Sequence, residues 1–187
     1  MHQKGNVMSD EELVRGCLRQ DGVAQRTLFD RFAQPMMAVC MRYAGNPMEA
    51  QDMLQEGFVK VFEKLGQFRG EGPLAGWIRR IMVNEALIYL RKHQRHRNID
   101  EINEENDDAP VDASVFDALG VEMLIGLIAE LPVGYRTVFN LYAVEGYSHK
   151  EIAEQLGITE STSKTQFHKA KQQLRAQIEQ LEERREP

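Results

Sequence analysis

The sequence lacks the features that mark membrane and secreted proteins. No apolar run approaches the ~18–20 residues that a membrane-spanning helix needs, and the first residues, MHQKGNVMSDEEL, lack the apolar segment of a signal peptide. The chain contains only two cysteines, Cys17 and Cys40, whose spacing matches no zinc or redox motif. We therefore expect a cytoplasmic protein with buried free thiols, without membrane insertion, a bound metal or a cofactor.

Strand signals are also nearly absent. Alternating runs of β-branched residues between hairpin turns do not occur, whereas apolar residues recur at helical spacing along most of the 187 residues. The predicted fold class is therefore all-α, with two small helical domains joined by an acidic, flexible linker. The expected bounds are residues 8–98 for the first domain, 99–116 for the linker and 117–182 for the second domain.

The net charge of −6 is distributed unevenly along the chain. Eight acidic residues and no lysine or arginine lie between Asp100 and Asp117. Of the chain's 29 acidic residues, 21 lie elsewhere, against 23 lysines and arginines. Outside this acidic segment the chain is thus slightly cationic. Because the negative charge is concentrated in one segment, the net charge of −6 does not exclude nucleic-acid binding by the rest of the chain.

Helix signals precede each apolar stripe of the first domain. Ser9 and Glu12 have the spacing of a capping box, and Pro35 is expected to start a new turn or kink the second helix. The next helix, from about Met48 to Leu65, has an apolar stripe and a second stripe in which Val59 lies among acids and amides. Either a solvated face or a docking surface fits this second stripe.

The segment from Gly66 to Arg97 combines a Gly-rich turn with a basic amphipathic helix. Pro73 suits the first turn of that helix, which has an apolar stripe containing Trp77 and one acid, Glu85, among several cations. An interior asparagine, Asn84, makes the helix a candidate for reading nucleic acid. A solvated basic face on a core helix is the alternative, and the pattern alone leaves both open.

The segment from Tyr147 to Arg175 has the pattern of a helix-turn-helix. Ser148 and Glu151 form a capping box, Gly157 lies in the turn, and Thr159 or Ser161 caps the second helix. That helix has no acid from Ser161 to Gln177, which favours DNA binding over a protein contact. The polar tail after it is expected to fray.

These motifs together resemble an extracytoplasmic-function sigma factor of bacterial RNA polymerase. The resemblance rests on Asp52-Met53-Leu54-Gln55-Glu56-Gly57-Phe58, on Phe68-Arg69-Gly70-Glu71 followed by Trp77-Ile78-Arg79-Arg80-Ile81, and on Leu131-Pro132 with Tyr147-Ser148-His149-Lys150-Glu151-Ile152-Ala153. It implies sigma region 2 in the first domain and region 4 in the second. It also implies a transcription initiation factor without catalytic residues.

The resemblance assigns three sets of binding residues. The set that would bind the β′ clamp helices of core RNA polymerase is Asp52, Gln55, Glu56, Val59 and Glu63. The set for the −10 element is Phe68, Arg69, Gly70 and Glu71 around a flipped base, Asn84 on a base edge, and Arg79, Arg80, Arg91 and Lys92 on phosphates. The set that would bind the −35 element is Ser161, Thr162, Lys164, Thr165, His168 and Lys169. Of these, Lys164, Thr165, His168 and Lys169 would face outward into the major groove.

The same resemblance implies further partners. Promoter DNA and the polymerase β flap would complete the assembly, and an anti-sigma factor would hold the protein inactive. The acidic linker would run through the RNA-exit path.

Three other classes of protein compete with this interpretation. An enzyme is disfavoured because His93 and His96 have no glutamate between them and no nucleophile arrangement stands out. A helix-turn-helix regulator acting without core polymerase is the main alternative, and it would bind duplex DNA alone. An anti-sigma antagonist is disfavoured by the cationic faces of both domains.

Overall fold

The structure is a computed structural model that describes residues 8–94 and 121–183. All regular structure in these two ranges is helical, and the chain divides into two compact units, Met1–Tyr89 and Leu90–Pro187. The predicted all-α class is confirmed. The predicted linker lies outside the described residues, so its bounds and those of the two domains stay predictions.

The first unit begins with helices α1 (Asp10–Leu18) and α2 (Gly22–Tyr43). The predicted capping box is present, because the Glu12 N–H donates to Ser9 Oγ and the Ser9 N–H donates to the Glu12 carboxylate. Helix α2 continues through Pro35 without a break, so the expected new turn does not form. Phe32 and Met36 are buried on either side of the proline, and their packing holds the helix together where one backbone hydrogen bond is lost.

Helices α1 and α2 approach closely at Gly16. A Cβ atom placed on Gly16 would lie 2.5 Å from the Cβ of Ala24, and neither group could rotate away. We expect Gly16→Ala to lower the free energy of unfolding by about 1–3 kcal/mol. Urea titration followed by the fluorescence of Trp77 measures this, and Gly22→Ala, which would meet no atom within 4 Å, is the control. An equal change in both variants would contradict the close approach.

Helix α3 (Pro47–Lys64) ends in a short 3₁₀ turn (Leu65–Gln67), and a loop leads to helix α4 (Leu74–Gln94). Pro73 immediately precedes α4, where its carbonyl accepts the N–H of Trp77 at 3.3 Å. The predicted apolar stripes form the core of this unit, with α3 contributing Met53, Leu54, Phe58 and Val61 and α4 contributing Ile78, Ile81, Met82 and Leu87. The remaining faces of α3 and α4 are therefore available to solvent.

The second unit contains α5 (Val121–Glu130), α6 (Val133–Phe139) with a π turn (Asn140–Val144), α7 (His149–Leu156) and α8 (Glu160–Glu183). Its main apolar cluster comprises Leu127, Ile128, Leu131, Phe139, Ala170, Leu174 and Ile178. Long-range packing of α8 against α5 and α6 therefore holds the unit together.

The expectation that the polar tail frays is wrong for its first part. Helix α8 continues to Glu183, and Ile178 is completely buried in the cluster with Leu127 and Leu131. Ile178 and Leu181 continue the helical spacing of Phe167, Ala170 and Leu174, a signal that the polar composition of the tail outweighed in the prediction.

The two predicted free thiols are buried, as expected. Cys17 and Cys40 are free cysteines inside the first unit. Burial raises the pKa of the Cys40 thiol to about 11, because the thiolate would lose its hydration. Both side chains therefore act as small apolar groups of the core.

Candidate nucleic-acid interface

The five predicted polymerase-binding residues share one exposed face of α3. Their spacing of three and four residues places them together along the helix, and all five are exposed: Asp52, Gln55, Glu56, Val59 and Glu63. Val59 has 53% of its surface exposed, although Phe58 beside it is buried. The Glu63 carboxylate accepts a hydrogen bond from Lys60 Nζ at 2.8 Å, and this contact raises the pKa of Lys60.

The loop before α4 is anchored by one aromatic contact. The Phe68 and Trp77 rings are tilted at 59° with centroids 5.6 Å apart, and both side chains are half-buried. Gly70 has a φ of +73°, a left-handed conformation that glycine adopts without strain. Arg69, Gly70 and Glu71 are exposed, so the anchored loop presents backbone and two charged groups to solvent.

The outward face of α4 is cationic. Arg80, Asn84 and Arg91 are exposed at spacings of four and seven residues, and Lys92 is exposed beside Arg91, whereas Arg79 is half-buried. Glu85, the acid expected among these cations, is instead 9% exposed. It is a minor contributor to the raised pKa of Lys60 on α3, for which the hydrogen bond to Glu63 is the largest cause. Glu85 is therefore not part of the exposed surface that contains Asn84 and the cations.

The helix-turn-helix forms as predicted in α7 and α8. The Ser148–Glu151 capping box is present, and Gly157 ends α7 with a φ of +70°. Thr159, not Ser161, caps α8, because its Oγ1 accepts the N–H of Thr162 at 3.0 Å. The inner face of α8 consists of Ser163, Ala170 and Leu174, which are completely buried, and of Phe167, which is half-buried.

The predicted outer face of α8 is only partly outward. Ser161 and Lys164 are exposed, whereas Thr162, Thr165, His168 and Lys169 are half-buried. Lys164 Nζ pairs with the Glu160 carboxylate at 2.8 Å. Nε2 of His168 is buried, with no hydrogen-bond partner within the described part of the chain, so the expectation that the whole side chain faces outward is wrong. The half-buried position of this ring depends on packing that the sequence pattern does not specify.

The side chain of His149 has a structural role in the second unit that the sequence pattern did not indicate. Its ring stacks on Tyr142 with centroids 4.3 Å apart, and Nδ1 lies 2.9 Å from Oγ of the buried Ser163. Phe167 lies at the edge of the same ring. This side chain therefore connects α7, α8 and the π turn. The feature of the sequence that could have indicated this role is its position directly after the N-cap residue Ser148.

Acidification should destabilise the second unit through His149. Burial, and then the charge of Lys164, lower the pKa of His149 below its ordinary 6.5, against a smaller opposite effect of Glu160. Between the lowered pKa and 6.5, the unfolded chain therefore binds more protons than the folded chain. The contribution of His149 to the free energy of unfolding is fully present above this pH range and is lost as the pH falls through it.

Urea titrations at about pH 7.5 and about pH 5.5 test this expectation, because histidine titrates between them. Circular dichroism follows both units, and the single tryptophan, Trp77, follows the first. His149→Gln should reduce the pH dependence seen by circular dichroism, whereas the control His93→Gln, on exposed α4 surface, should preserve it. An unchanged dependence in His149→Gln would contradict the assignment.

Comparison with known proteins identifies both units. The family model for sigma-70 region 2 matches residues 28–96, and the model for sigma-70 region 4 matches residues 122–174. The sigma-E factor of Haemophilus influenzae, an extracytoplasmic-function (ECF) RNA polymerase sigma factor, is 27% identical over 185 residues, covering 93% of this chain and 97% of the relative. The chain belongs to the ECF sigma factors.

Other relatives of this sigma factor differ in length and similarity. The ECF sigma factor SigE of Mycolicibacterium smegmatis is 29% identical over 154 residues, covering 79% of this chain but 59% of that relative. A solved structure of the sigma factor RpoE with the anti-sigma factor NepR from Bartonella quintana has a TM-score of 0.49 and 19% identity, covering 82% of this chain and 96% of that chain.

As a sigma factor, the protein directs RNA polymerase to promoters and is not an enzyme. Within residues 8–94 and 121–183, no helix is long and apolar enough to cross a membrane. The same residues contain no group of three or more histidine, cysteine or acidic side chains that could hold a metal ion.

Proposed function

We propose that this sigma factor acts in the cytoplasm and binds its partners through three separate surfaces. The exposed face of α3 docks on the β′ clamp helices of core RNA polymerase, the loop and outward face of α4 hold the −10 element, and α8 enters the −35 element. The observation that carries the proposal is the outward face of α4, where Arg80, Asn84 and Arg91 are exposed and the nearby acid Glu85 is buried.

The −10 surface is suited to a single strand of DNA. Extruding a base costs a few kcal/mol of stacking, which stacking and hydrogen-bonding groups in a cationic groove can offset. The loop from Phe68 to Glu71 offers exposed backbone at Gly70, held in place by the Phe68–Trp77 contact. Asn84 supplies the donor and acceptor for a base edge, and Arg79, Arg80, Arg91 and Lys92 supply positive charge for phosphates.

The −35 surface is narrower than the resemblance implies. Ser161 and Lys164 are exposed at the start of α8, the end of a recognition helix that contacts bases in helix-turn-helix proteins. Thr162, Thr165 and Lys169 supply smaller accessible areas beside them. Because Nε2 of His168 is buried, we assign its ring chiefly to positioning the helix.

Two further partners belong to the proposal. The β flap of the polymerase would receive the second unit, and an anti-sigma factor would cover a docking face while the protein is inactive. The position of the exposed Val59 among the acids and amides of the α3 face suits a protein partner, because an interface commonly combines apolar and polar contacts.

DNA binding with and without core polymerase separates this proposal from a helix-turn-helix regulator. We expect weak, poorly specific retention of promoter duplex by the protein alone and specific retention once core enzyme is added. Tight palindrome-specific binding by a dimer, unchanged by core enzyme, would support the regulator instead.

A further inference from the structure

Ile88 is an exposed apolar residue on the cationic face of α4. Its side chain is 46% exposed, whereas Leu87 and Leu90 on either side are buried in the core. A single exposed isoleucine is unremarkable on a protein surface. Its position on this helix distinguishes it.

Ile88 lies between groups that suit a nucleic-acid strand. Asn84 is one helical turn before it and Lys92 one turn after it, and both are exposed. Arg80 extends the same row by another turn. Residues four apart lie above one another on a helix, so Arg80, Asn84, Ile88 and Lys92 form one row along α4. Ile88 is the apolar residue in this row of polar and cationic side chains.

We propose that Ile88 contacts the 5-methyl group of a thymine in the single-stranded −10 element, beside the base contacted by Asn84. The inference rests on the proposed function of α4. An isoleucine side chain has no donor or acceptor, so it discriminates bases only through apolar groups, and the thymine methyl is the apolar group on a base edge. The cations along the row favour a polyanionic strand over an apolar protein partner at this position.

The expected contribution is that of one apolar contact. Removing a methyl group from such a contact costs roughly three- to fivefold in affinity, as expected for the burial of one such group. Base preference at one promoter position, rather than overall affinity, is therefore the informative measurement.

The test uses holoenzyme assembled from core polymerase and the full-length chain. A random-sequence non-template strand is selected for binding to the wild type, and each thymine of the selected strand is then replaced in turn by deoxyuridine, which lacks the methyl group. The same replacements are measured with Ile88→Ala and with Ile125→Ala, whose isoleucine is also 46% exposed but lies on α5. Asn84→Ala is measured as well, because the base position at which it changes the preference identifies the base that Asn84 contacts.

We expect one deoxyuridine replacement, next to the position sensitive to Asn84→Ala, to weaken wild-type and Ile125→Ala binding but not Ile88→Ala binding. A second outcome is that Asn84→Ala alters the base preference, but each deoxyuridine replacement weakens binding equally in the wild type, Ile88→Ala and Ile125→Ala. That outcome overturns the inference about Ile88 and leaves the −10 role of α4 intact. Weaker binding of Ile88→Ala to core enzyme itself, with thymine preference unchanged, would assign Ile88 to a protein contact. If the wild-type holoenzyme selects no sequence, both the inference and the proposed function fail.

Discussion

Asp52→Arg is expected to abolish binding to core RNA polymerase while leaving the fold intact. Asp52 is exposed on α3 in the same row as Glu56 and Val59, so the substitution disturbs no core contact. It reverses a charge in the proposed interface, and a like charge opposed across an interface costs several kcal/mol. We therefore expect at least about a hundredfold loss of affinity at low salt, measured by pull-down or by fluorescence anisotropy with labelled protein.

The control for this substitution is Asp30→Arg on α2. Asp30 is also exposed, and its surface pair with Arg26 at 3.8 Å contributes little to stability. Circular dichroism should report the same helicity for both variants and the wild type. Equal affinity for core enzyme in Asp52→Arg and the wild type would refute the assignment of the α3 face.

Asn84→Ala is expected to impair promoter opening far more than recognition of the −35 element. The side chain is exposed on α4 and makes no part of the buried core, so its removal should preserve stability. A site that loses its hydrogen bonds to a flipped base no longer offsets the cost of unstacking. We expect opening to fall by about five- to 150-fold, which corresponds to about one to three kcal/mol of lost base discrimination.

Permanganate reactivity of unpaired thymines measures opening, and footprinting of the −35 region measures recognition. Gln34→Ala, which removes an exposed amide from α2, is the matched control and should change neither signal. Equal loss of opening and −35 protection in Asn84→Ala would count against the role of α4 in holding the single strand.

The sequence predicts most of the local structure because its helix signals act over a few residues. The capping boxes at Ser9 and Ser148 form as their spacing indicates, and Gly157 takes the left-handed conformation that ends α7. The row of exposed residues on α3 follows from helical periodicity alone. The assignment of these surfaces to polymerase and promoter, by contrast, came from the resemblance and stays a prediction.

The features that the sequence did not predict depend on contacts between distant segments. Glu85 has the sequence context of a surface acid, yet it is buried, so it is absent from the exposed surface that contains Asn84. Ile178 is buried by residues about fifty positions earlier in the chain, and His149 obtains its role from Tyr142 and Ser163. The contacts of Glu85 and His149 leave no periodic pattern within a window of one helix, whereas Ile178 continues the spacing of Ala170 and Leu174 and periodicity alone could have predicted its burial.

Transcription in vitro with purified core RNA polymerase tests the central claim most directly. Genomic fragments from the source organism serve as templates, and the full-length chain is the only added factor. We predict transcripts with defined starts that require both the chain and core enzyme, and that disappear with Asp52→Arg. Absence of any chain-dependent transcript, with core enzyme shown to be active using another sigma factor, would contradict the account.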